Sequence, residues 1–281
     1  GAINSPQLLQ LSGIGPAEHL AGLGLPVLVG NDHVGGNLND HQGLNYTFRM
    51  KVPTYNDILR PWWGKALVGM QYLLQGRGVL SKSINHAGGF FRSSPDLSRP
   101  NMQLYMQAFS TLVPKVGERP LLTPDPFSGL SIGLSNCRPT SRGWLKIREA
   151  DPFAPPQIVG NAYSTDHDVE EMLAAVKFIR KIVAQGPMAE VIAEELRPGP
   201  EVVSDEDLIA DFRARSGTVY HPSCTCRMGD VVDSRLRVKG VTGLRVCDAS
   251  AFPNLIAGNT NAPSILMGWK GAEVILADQA V

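Results

Sequence analysis

Apolar and polar residues in the first part of the chain alternate between short helical and extended patterns. The Ser-Pro pair at 5–6, followed by several leucines, is typical of a helix start, because proline fits the first turn. Gly13 predicts the end of that helix and Pro16 the start of a second one. The apolar run 25–29 predicts a short strand. The polar, glycine-rich residues 34–41 then predict a loop whose backbone can approach a ligand closely.

The middle part, residues 42–216, has a different pattern, with longer strands and helices. Alternating apolar and polar residues predict strands at 45–52, 103–108 and 143–147. Helical spacing of apolar residues predicts helices at 61–75, at 166–185 and from Ser204 onwards. Strands mixed with helices that pack to one side indicate an α+β domain.

The last part, residues 217–281, returns to a dense α/β pattern. Residues 244–248 predict a short buried strand that ends at an acid, Asp248. Apolar residues on one face predict a helix over 263–277. The fold class expected from the three parts is therefore mixed, α/β and α+β.

The composition is that of a globular protein. Of the 281 residues, 43% are apolar and 19% are charged, which is clear of the disordered range, and the length allows one large domain or two ordinary ones. Lys+Arg and Asp+Glu both number 26, so the net charge is zero. Without a basic surplus to neutralise a phosphate backbone, we expect no nucleic-acid partner.

The four cysteines are Cys137, Cys224, Cys226 and Cys247. The spacing of Cys224 and Cys226 matches no usual zinc pattern and no second Cys/His pair accompanies it, so we expect no metal. Free thiols fit a reducing compartment, which favours a cytoplasmic protein. Peripheral attachment of the full-length protein to a membrane stays open.

Three polar clusters are candidates for chemistry. Residues 1–15 (GAINSPQLLQLSGIG) form a turn that feeds a helix N-terminus, where an anion can bind. Residues 220–229 (YHPSCTCRMG) contain His221, and a lone histidine is more often structural than a base. Residues 258–264 (GNTNAPS) have the composition of a polar helix cap. Taken singly, none of these clusters decides the function.

Taken together with residues 248–253 (DASAFP), the three clusters resemble the C-terminal half of the glucose–methanol–choline (GMC) flavoprotein oxidoreductases, in the order that the family keeps. Residues 34–41 (VGGNLNDH) resemble the family's VGENLQDH element. Residues 138–143 (RPTSRG) and the Asp-Pro pair at 151–152 resemble its central-sheet pattern. Cys224 departs from the glycine that is usual in the family's HPxGTCRMG loop, which puts the backbone of that loop in question.

The resemblance implies the C-terminal portion of a two-domain fold, with a Rossmann-like FAD-binding domain and a substrate-binding domain built on an antiparallel sheet. Residues 1–41 and 217–281 then belong to the FAD-binding domain and residues 42–216 to the substrate-binding domain. The family holds FAD with an N-terminal βαβ unit that carries G-x-G-x-x-G, and this pattern is not found here. Since the first residue is Gly1, we expect the chain to be part of a protein about twice as long, whose N-terminal half is its partner. A natural half-enzyme that pairs with a separate chain is the alternative.

The resemblance also implies site residues. His221 falls on the family's catalytic histidine, and Asn259 falls on its second catalytic position, which is either histidine or asparagine in relatives. Asp248 and Ala249 fall on the strand end that contacts the ribityl-phosphate region of FAD.

The chemistry agrees with these roles. A neutral imidazole titrating near pH 6.5 suits His221 as the base that removes the hydroxyl proton while hydride leaves carbon for flavin N5. Asn259 can hold the alcohol oxygen without adding charge. Asn261 and Ala262, at the start of the final helix, fall near the flavin pyrimidine edge, where the positive helix end would stabilise the negative charge of reduced flavin.

One position, that of His86, indicates the class of substrate. Relatives that oxidise choline carry a glutamate in an E-A-G-G-F-like segment, and the matching residues 85–90 (NHAGGF) place His86 there. An imidazole does not attract a quaternary ammonium. We therefore expect FAD-dependent oxidation of an uncharged primary alcohol to an aldehyde, with His86 in the substrate pocket. The alternative for His86 is a buried histidine that faces away from the flavin.

Three alternative functions stay open: a choline dehydrogenase, an enzyme like the FAD-containing hydroxynitrile lyases, and an inactive fragment that lacks the N-terminal FAD-binding half. The electron acceptor of the expected enzyme, a quinone or oxygen, is not indicated by the sequence.

Overall fold

Short helices and strands follow one another along the computed structural model, which describes residues 1–111 and 123–279. The helices are α1 (Asn4–Leu11), α2 (Ala17–Gly22), α3 (Tyr55–Leu59), α4 (Trp62–Gln75), α5 (Asp166–Val183), α6 (Gly186–Val191), α7 (Asp205–Arg215) and α8 (Asn261–Gln279). The strands are β1 (Ile14–Gly15), β2 (Val29–Gly30), β3 (Gln42–Met50), β4 (Ala87–Phe91), β5 (Met102–Gln107), β6 (Gly129–Asn136), β7 (Trp144–Lys146), β8 (Gln157–Val159), β9 (Ile192–Arg197) and β10 (Gly217–Thr218). Single 3-10 turns lie at Val79–Ser81 and Ala249–Ala251.

The predicted helices are all present, and the local signals explain their ends. Ser204 caps α7, because its Oγ accepts a hydrogen bond from the backbone N of Asp207 at 3.1 Å. The apolar stripe of α5, which includes Met172, Val176 and Ile179, is buried. Gly76, in the left-handed region at φ 62°, ends α4.

Two predicted strands differ from the structure. Of the run 25–29 only Val29 is in a strand, β2, since Pro26 has no N–H to donate to a ladder. The strand predicted at 244–248 is wrong: this segment makes an isolated bridge between Arg237 and Arg245 instead of a regular ladder. At its end, the Asp248 carboxylate caps the 3-10 turn Ala249–Ala251.

Contacts divide the chain into two units. The first contains Gly1–Gln42, Cys137–Asp168 and Thr218–Val281, and the second contains Gly43–Asn136 and Val169–Gly217. The segment 137–168 therefore groups with the two chain ends, whereas the domain boundaries expected from the sequence placed it in the substrate-binding domain. Hydrogen bonds explain the grouping. For example, Leu38 and Gly143 pair in both directions, and Gln10 Nε2 donates to the Leu145 carbonyl. The functional assignment of the domains stays a prediction.

An antiparallel sheet forms the centre of the second unit. Its strand order is β10-β3-β6-β5-β4, and β9 also pairs with β3. The central strand β6 is buried along its whole length, although its sequence GLSIGLSN is rich in small residues. A Cβ on Gly133 would lie 1.8 Å from the ring of Tyr105, so this ring occupies the space of a side chain. Apolar residues alternate along β6 at Leu130, Ile132 and Leu134, so the sequence carries the signal of this strand, although it is not among the strands predicted above.

The first unit has its own apolar core beneath the loops. Its buried members are Leu9, Ile14, Val34, Cys226, Val231, Val232, Leu236, Val238, Val246 and Ala251. They come from both ends of the chain, so folding of this unit brings the glycine-rich loop 34–41 to the segment 220–229.

Candidate active site

Backbone pairing aligns the two loops that carry the site. Asn39 and Ser223 form an antiparallel bridge, in which each backbone N–H donates to the other's carbonyl at 3.1 and 2.9 Å. Since residue numbers run in opposite directions along an antiparallel pair, His41 falls opposite His221. The backbone N of Val219 donates to the His41 carbonyl at 3.2 Å, which continues this register.

The Asp40 carboxylate holds the backbone at His221. One oxygen accepts a hydrogen bond from the His221 backbone N at 3.0 Å, and the other accepts one from the Thr218 hydroxyl. Tyr220 between them has a φ of 64°, a left-handed turn that a non-glycine residue adopts only when its surroundings require it. Burial raises the pKa of Asp40, while these hydrogen bonds lower it. Asp40 therefore holds in place the backbone from which the His221 side chain extends.

Two imidazoles are in direct contact. His221 Nδ1 lies 2.9 Å from His41 Nδ1, and the rings meet edge to face with centroids 5.1 Å apart. His41 Nε2 lies 3.0 Å from the Cys137 carbonyl, which can only accept, so this nitrogen carries the proton of neutral His41. His41 Nδ1 is then an acceptor, and the proton between the rings belongs to His221 Nδ1. The Nε2 of neutral His221 is left with a lone pair.

The lone pair of His221 faces Asn259. The amide Nδ2 of Asn259 lies 3.4 Å from His221 Nε2, at the exposed side of the site. An amide N–H can donate to this nitrogen, as the tautomer requires. The structure therefore brings together the two residues predicted to be catalytic.

Burial keeps both imidazoles neutral. It lowers the pKa of His41 to about 4, with a further contribution from neighbouring His221. Burial also lowers the pKa of the half-buried His221 below its ordinary value of 6.5. At neutral pH His221 is thus in the form that accepts a proton.

Asp248 and Ala249 lie beside the same loop. The Asp248 carboxylate accepts hydrogen bonds from the Ser250 backbone N at 2.8 Å and from the Ser5 hydroxyl at 2.6 Å. Burial raises the pKa of Asp248, but these hydrogen bonds outweigh it and the pKa is lowered. The Ala249 carbonyl accepts from the Cys224 backbone N at 3.1 Å. Segment 248–251 thus connects the N-terminal cluster to the loop of His221.

Asn261 and Ala262 begin α8, two residues beyond Asn259. Both are exposed. The first backbone N–H groups of a helix have no acceptor within it, and the aligned peptide dipoles make this end positive. Because α8 is 19 residues long, it presents a full set of these groups beside the candidate site.

Cys224 has the backbone conformation of a glycine. Its φ is 70°, and its side chain is buried with Sγ 3.3 Å from the Ser223 hydroxyl. The loop thus keeps a left-handed turn at the position where the sequence departs from the family pattern. Burial raises the pKa of the Cys224 thiol, which makes it unreactive.

His86 belongs to the second unit. Its ring lies against Tyr55, with centroids 4.9 Å apart, and its Nδ1 accepts a hydrogen bond from the Ala108 backbone N at 3.4 Å. The residue is exposed rather than buried. Its role in a substrate pocket stays a prediction.

Sequence reasoning missed His41. The residue was visible as the last position of the VGGNLNDH element, but nothing in that pattern showed that it contacts a histidine 180 positions away. Only the pairing of Asn39 with Ser223 reveals the contact.

Comparisons with known proteins identify the family of the chain. Residues 1–43 and 139–268 match the N-terminal and C-terminal domains of the family described as GMC oxidoreductase. The chain is 37% identical to the alcohol dehydrogenase [acceptor] of Pseudomonas putida, matching 98% of this chain and 50% of that protein. It is 38% identical to the human mitochondrial choline dehydrogenase, matching 100% of this chain and 47% of that protein.

A solved structure has the same fold. The formate oxidase of Aspergillus oryzae, studied for modification of its FAD, superimposes with a TM-score of 0.89 at 26% identity, over 99% of this chain and 53% of that one. The chain spans about half the length of the relatives it matches. The two family domains, found in order and covering more than half of the residues, show that the chain belongs to the GMC oxidoreductases.

Proposed function

We propose that the protein that carries this chain uses FAD to oxidise an uncharged primary alcohol to an aldehyde, with His221 as the general base. The observation that carries the proposal is the series of contacts from the Cys137 carbonyl through His41 to His221, which leaves Nε2 of neutral His221 without a proton beside the amide of Asn259. The names of the relatives, an alcohol dehydrogenase and a choline dehydrogenase, support oxidation of a CH–OH group.

The described residues fit a flavin. The exposed first turn of α8 offers backbone N–H groups to the electron-rich edge of an isoalloxazine ring, and Ala262 has a small side chain that allows a close approach. The Asp248 carboxylate retains free lone pairs for a hydroxyl group of the cofactor, because only Ser5 and Ser250 donate to it among the described residues apart from the chain's amino terminus. Bound FAD would supply the hydride acceptor.

The catalytic contribution of the chain is to position an alcohol and to accept its proton. A hydroxyl group that displaces the contact between the two side chains can donate to His221 Nε2 and accept from Asn259 Nδ2. When Nε2 takes the proton, His221 becomes an imidazolium whose Nδ1–H still donates to His41 Nδ1. The ring therefore keeps its orientation through the transfer.

We also propose that these residues function within a longer protein. The chain spans about half the length of its relatives, and α8 exposes four large apolar residues, Ile265, Leu266, Trp269 and Leu276. A group of four large apolar side chains on one helix is rarely left in water. An N-terminal FAD-binding half would cover it, as the resemblance implies.

The chemistry of His86 favours an uncharged substrate over choline. Since His86 Nδ1 accepts from the Ala108 backbone, neutral His86 presents an N–H donor at Nε2. A donor of this kind suits a hydroxyl group and offers no negative charge to a quaternary ammonium. His86→Glu should therefore raise the preference for choline over an aliphatic alcohol, and an unchanged preference would remove His86 from substrate selection.

The test uses the flavin-loaded full-length protein, mixed anaerobically with a panel of primary alcohols. The visible absorption of oxidised flavin should bleach, and His221→Ala should slow bleaching by roughly 10²–10⁴ while flavin stays bound. His33→Ala, which changes a histidine with an exposed side chain, is the matched control and should reduce at the normal rate. A flavin that no alcohol bleaches would contradict the proposal and favour a lyase-like reaction. Normal reduction of the His221 variant would remove it as the base.

A further inference from the structure

Helix α4 exposes an unusual amount of apolar surface. Six of its large apolar side chains are more than half exposed: Trp62 82%, Trp63 55%, Leu67 56%, Met70 52%, Leu73 84% and Leu74 77%. Within the helix only Gly64 and Val68 are buried. Scattered exposed apolar residues are normal, but six on one 14-residue helix form a patch that soluble surfaces rarely carry.

The helix is anchored near its start. A Cβ on Gly64 would lie 1.9 Å from the Ile58 carbonyl, so the backbone of α4 packs directly on the end of α3 at this point. Beyond Val68 no residue of α4 is buried. The apolar side chains that follow are therefore held outside the core by a short, close contact.

Between Asp57 and Asp96, the charged residues along the sequence are all cationic. Residues 58–95 contain no Asp or Glu and five cationic residues, Arg60, Lys65, Arg77, Lys82 and Arg92, in a chain whose charges balance overall. Among the ion pairs of the described residues, none involves Lys65, Arg77 or Lys82. These cations are thus available to an anionic surface.

The length of α4 excludes a membrane span. Its 14 residues rise about 21 Å, less than the roughly 30 Å of a bilayer's hydrocarbon core. No helix within residues 1–111 or 123–279 has the length and apolarity to cross a membrane. Tryptophan favours the boundary between lipid headgroups and acyl chains, and lysine and arginine reach from there to the headgroups.

We propose that α4 and the cationic residues around it dock the protein on the surface of a membrane that contains anionic lipids. The helix lies along the interface, with Trp62, Leu73 and their neighbours among the acyl chains and Lys65, Arg77 and Lys82 at the phosphates. A second copy of the chain fits less well, because two equivalent faces would bring their own cations together without a counter-charge.

The experiment measures co-sedimentation of the full-length holoenzyme with two kinds of vesicle, one of phosphatidylcholine alone and one of equal parts phosphatidylcholine and phosphatidylglycerol. We expect binding to the anionic vesicles that weakens in high salt. The double variant Trp62→Ser/Leu73→Ser should reduce the partition coefficient roughly tenfold or more. The triple variant Lys65→Gln/Arg77→Gln/Lys82→Gln should reduce it roughly a hundredfold, at about fivefold for each cation.

A matched control removes equally exposed apolar side chains elsewhere. Phe153→Ser/Val203→Ser changes residues that are 92% and 64% exposed, and it should bind vesicles like the unchanged protein. Alcohol oxidation in lipid-free buffer should be unaffected in all these variants, which separates this test from that of the proposed function.

Four results would overturn the proposal. In the first two, the holoenzyme stays in the supernatant with both vesicles, or both vesicles bind it equally well. In the third, the control variant loses as much binding as the α4 variant. In the fourth, Trp62→Ser/Leu73→Ser dissociates an oligomer without changing vesicle binding, which would show that a protein surface covers α4.

Discussion

The Nδ1 atoms of His41 and His221 lie 2.9 Å apart, so a single proton lies between two imidazoles. The Cys137 carbonyl at the far side of His41 determines which ring owns that proton, because it requires a donor at His41 Nε2. The protonation of His221 Nε2, at the exposed side of the site, is thus set by a backbone carbonyl two side chains away.

Changing His41 should therefore affect catalysis without removing the base. In His41→Leu the His221 Nδ1–H loses its acceptor, so His221 takes both tautomers and its imidazolium is less stable. We expect flavin reduction to slow roughly tenfold, which is less than the slowing expected when His221 itself is removed. The acid limb of the pH profile should move to lower pH. His41→Gln, whose amide can donate to Cys137 and accept from His221, should restore most of the rate. A Leu variant with an unshifted pH profile would indicate a merely structural role.

The rate of flavin reduction should depend on pH in one direction. In the proposed reaction His221 acts as a base only when deprotonated, and burial lowers its pKa below 6.5. The rate should rise with pH through a midpoint below 6.5 and stay level above it. Stopped-flow reduction by a primary alcohol across this range measures the midpoint, and a value above 6.5 would contradict the assignment.

Stability should fall in acid because His41 is buried neutral. Its pKa is about 4 when folded and 6.5 ordinarily, so between these values the unfolded chain binds a proton that the folded chain excludes. The free energy of unfolding therefore decreases as the pH falls from 6.5 to 4, by roughly 3 kcal/mol in total from this group. His41→Gln should flatten the dependence. Thermal melts of both proteins over a pH series test this, and parallel curves would show that His41 does not carry the effect.

At position 224 a glycine variant should be more stable than an alanine variant, the reverse of the usual order. Both substitutions remove the buried thiol, but alanine retains a Cβ at a φ of 70° and glycine does not. We expect Cys224→Gly to be more stable than Cys224→Ala by about 1 kcal/mol, measured by thermal unfolding of the holoenzyme. An alanine variant as stable as the glycine variant would mean that the loop relaxes to another conformation.

Local signals in the sequence predict helices better than the other elements of this chain. The apolar stripe of α5 and the Ser204 cap of α7 depend on residues within a few positions of one another, so the pattern contains the whole cause. Strand β6 alternates locally at Leu130, Ile132 and Leu134, but the Tyr105 ring that covers Gly133 on its other face is a partner that the pattern does not identify. The segment 244–248 has the composition of a strand, but its partners at 236–238 pair with it irregularly.

Only part of the candidate site was predictable from the sequence, because the rest depends on contacts between distant residues. His221 and Asn259 stand in recognisable motifs, and the structure places them in contact. His41 stands in one as well, yet its role follows from the register set by Asn39 and Ser223, which is a property of the folded backbone.

The paired ends of the segment 43–136 have a consequence for how such a protein can change. Gly43 on β3 pairs with Ser135 on β6, so the chain leaves the first unit and returns to it through adjacent strands. An insertion whose two ends already lie side by side can be lengthened or shortened in its loops at little cost in loop closure. We therefore expect the length of this segment to vary among descendants of one sequence more readily than the residues that hold His41 against His221.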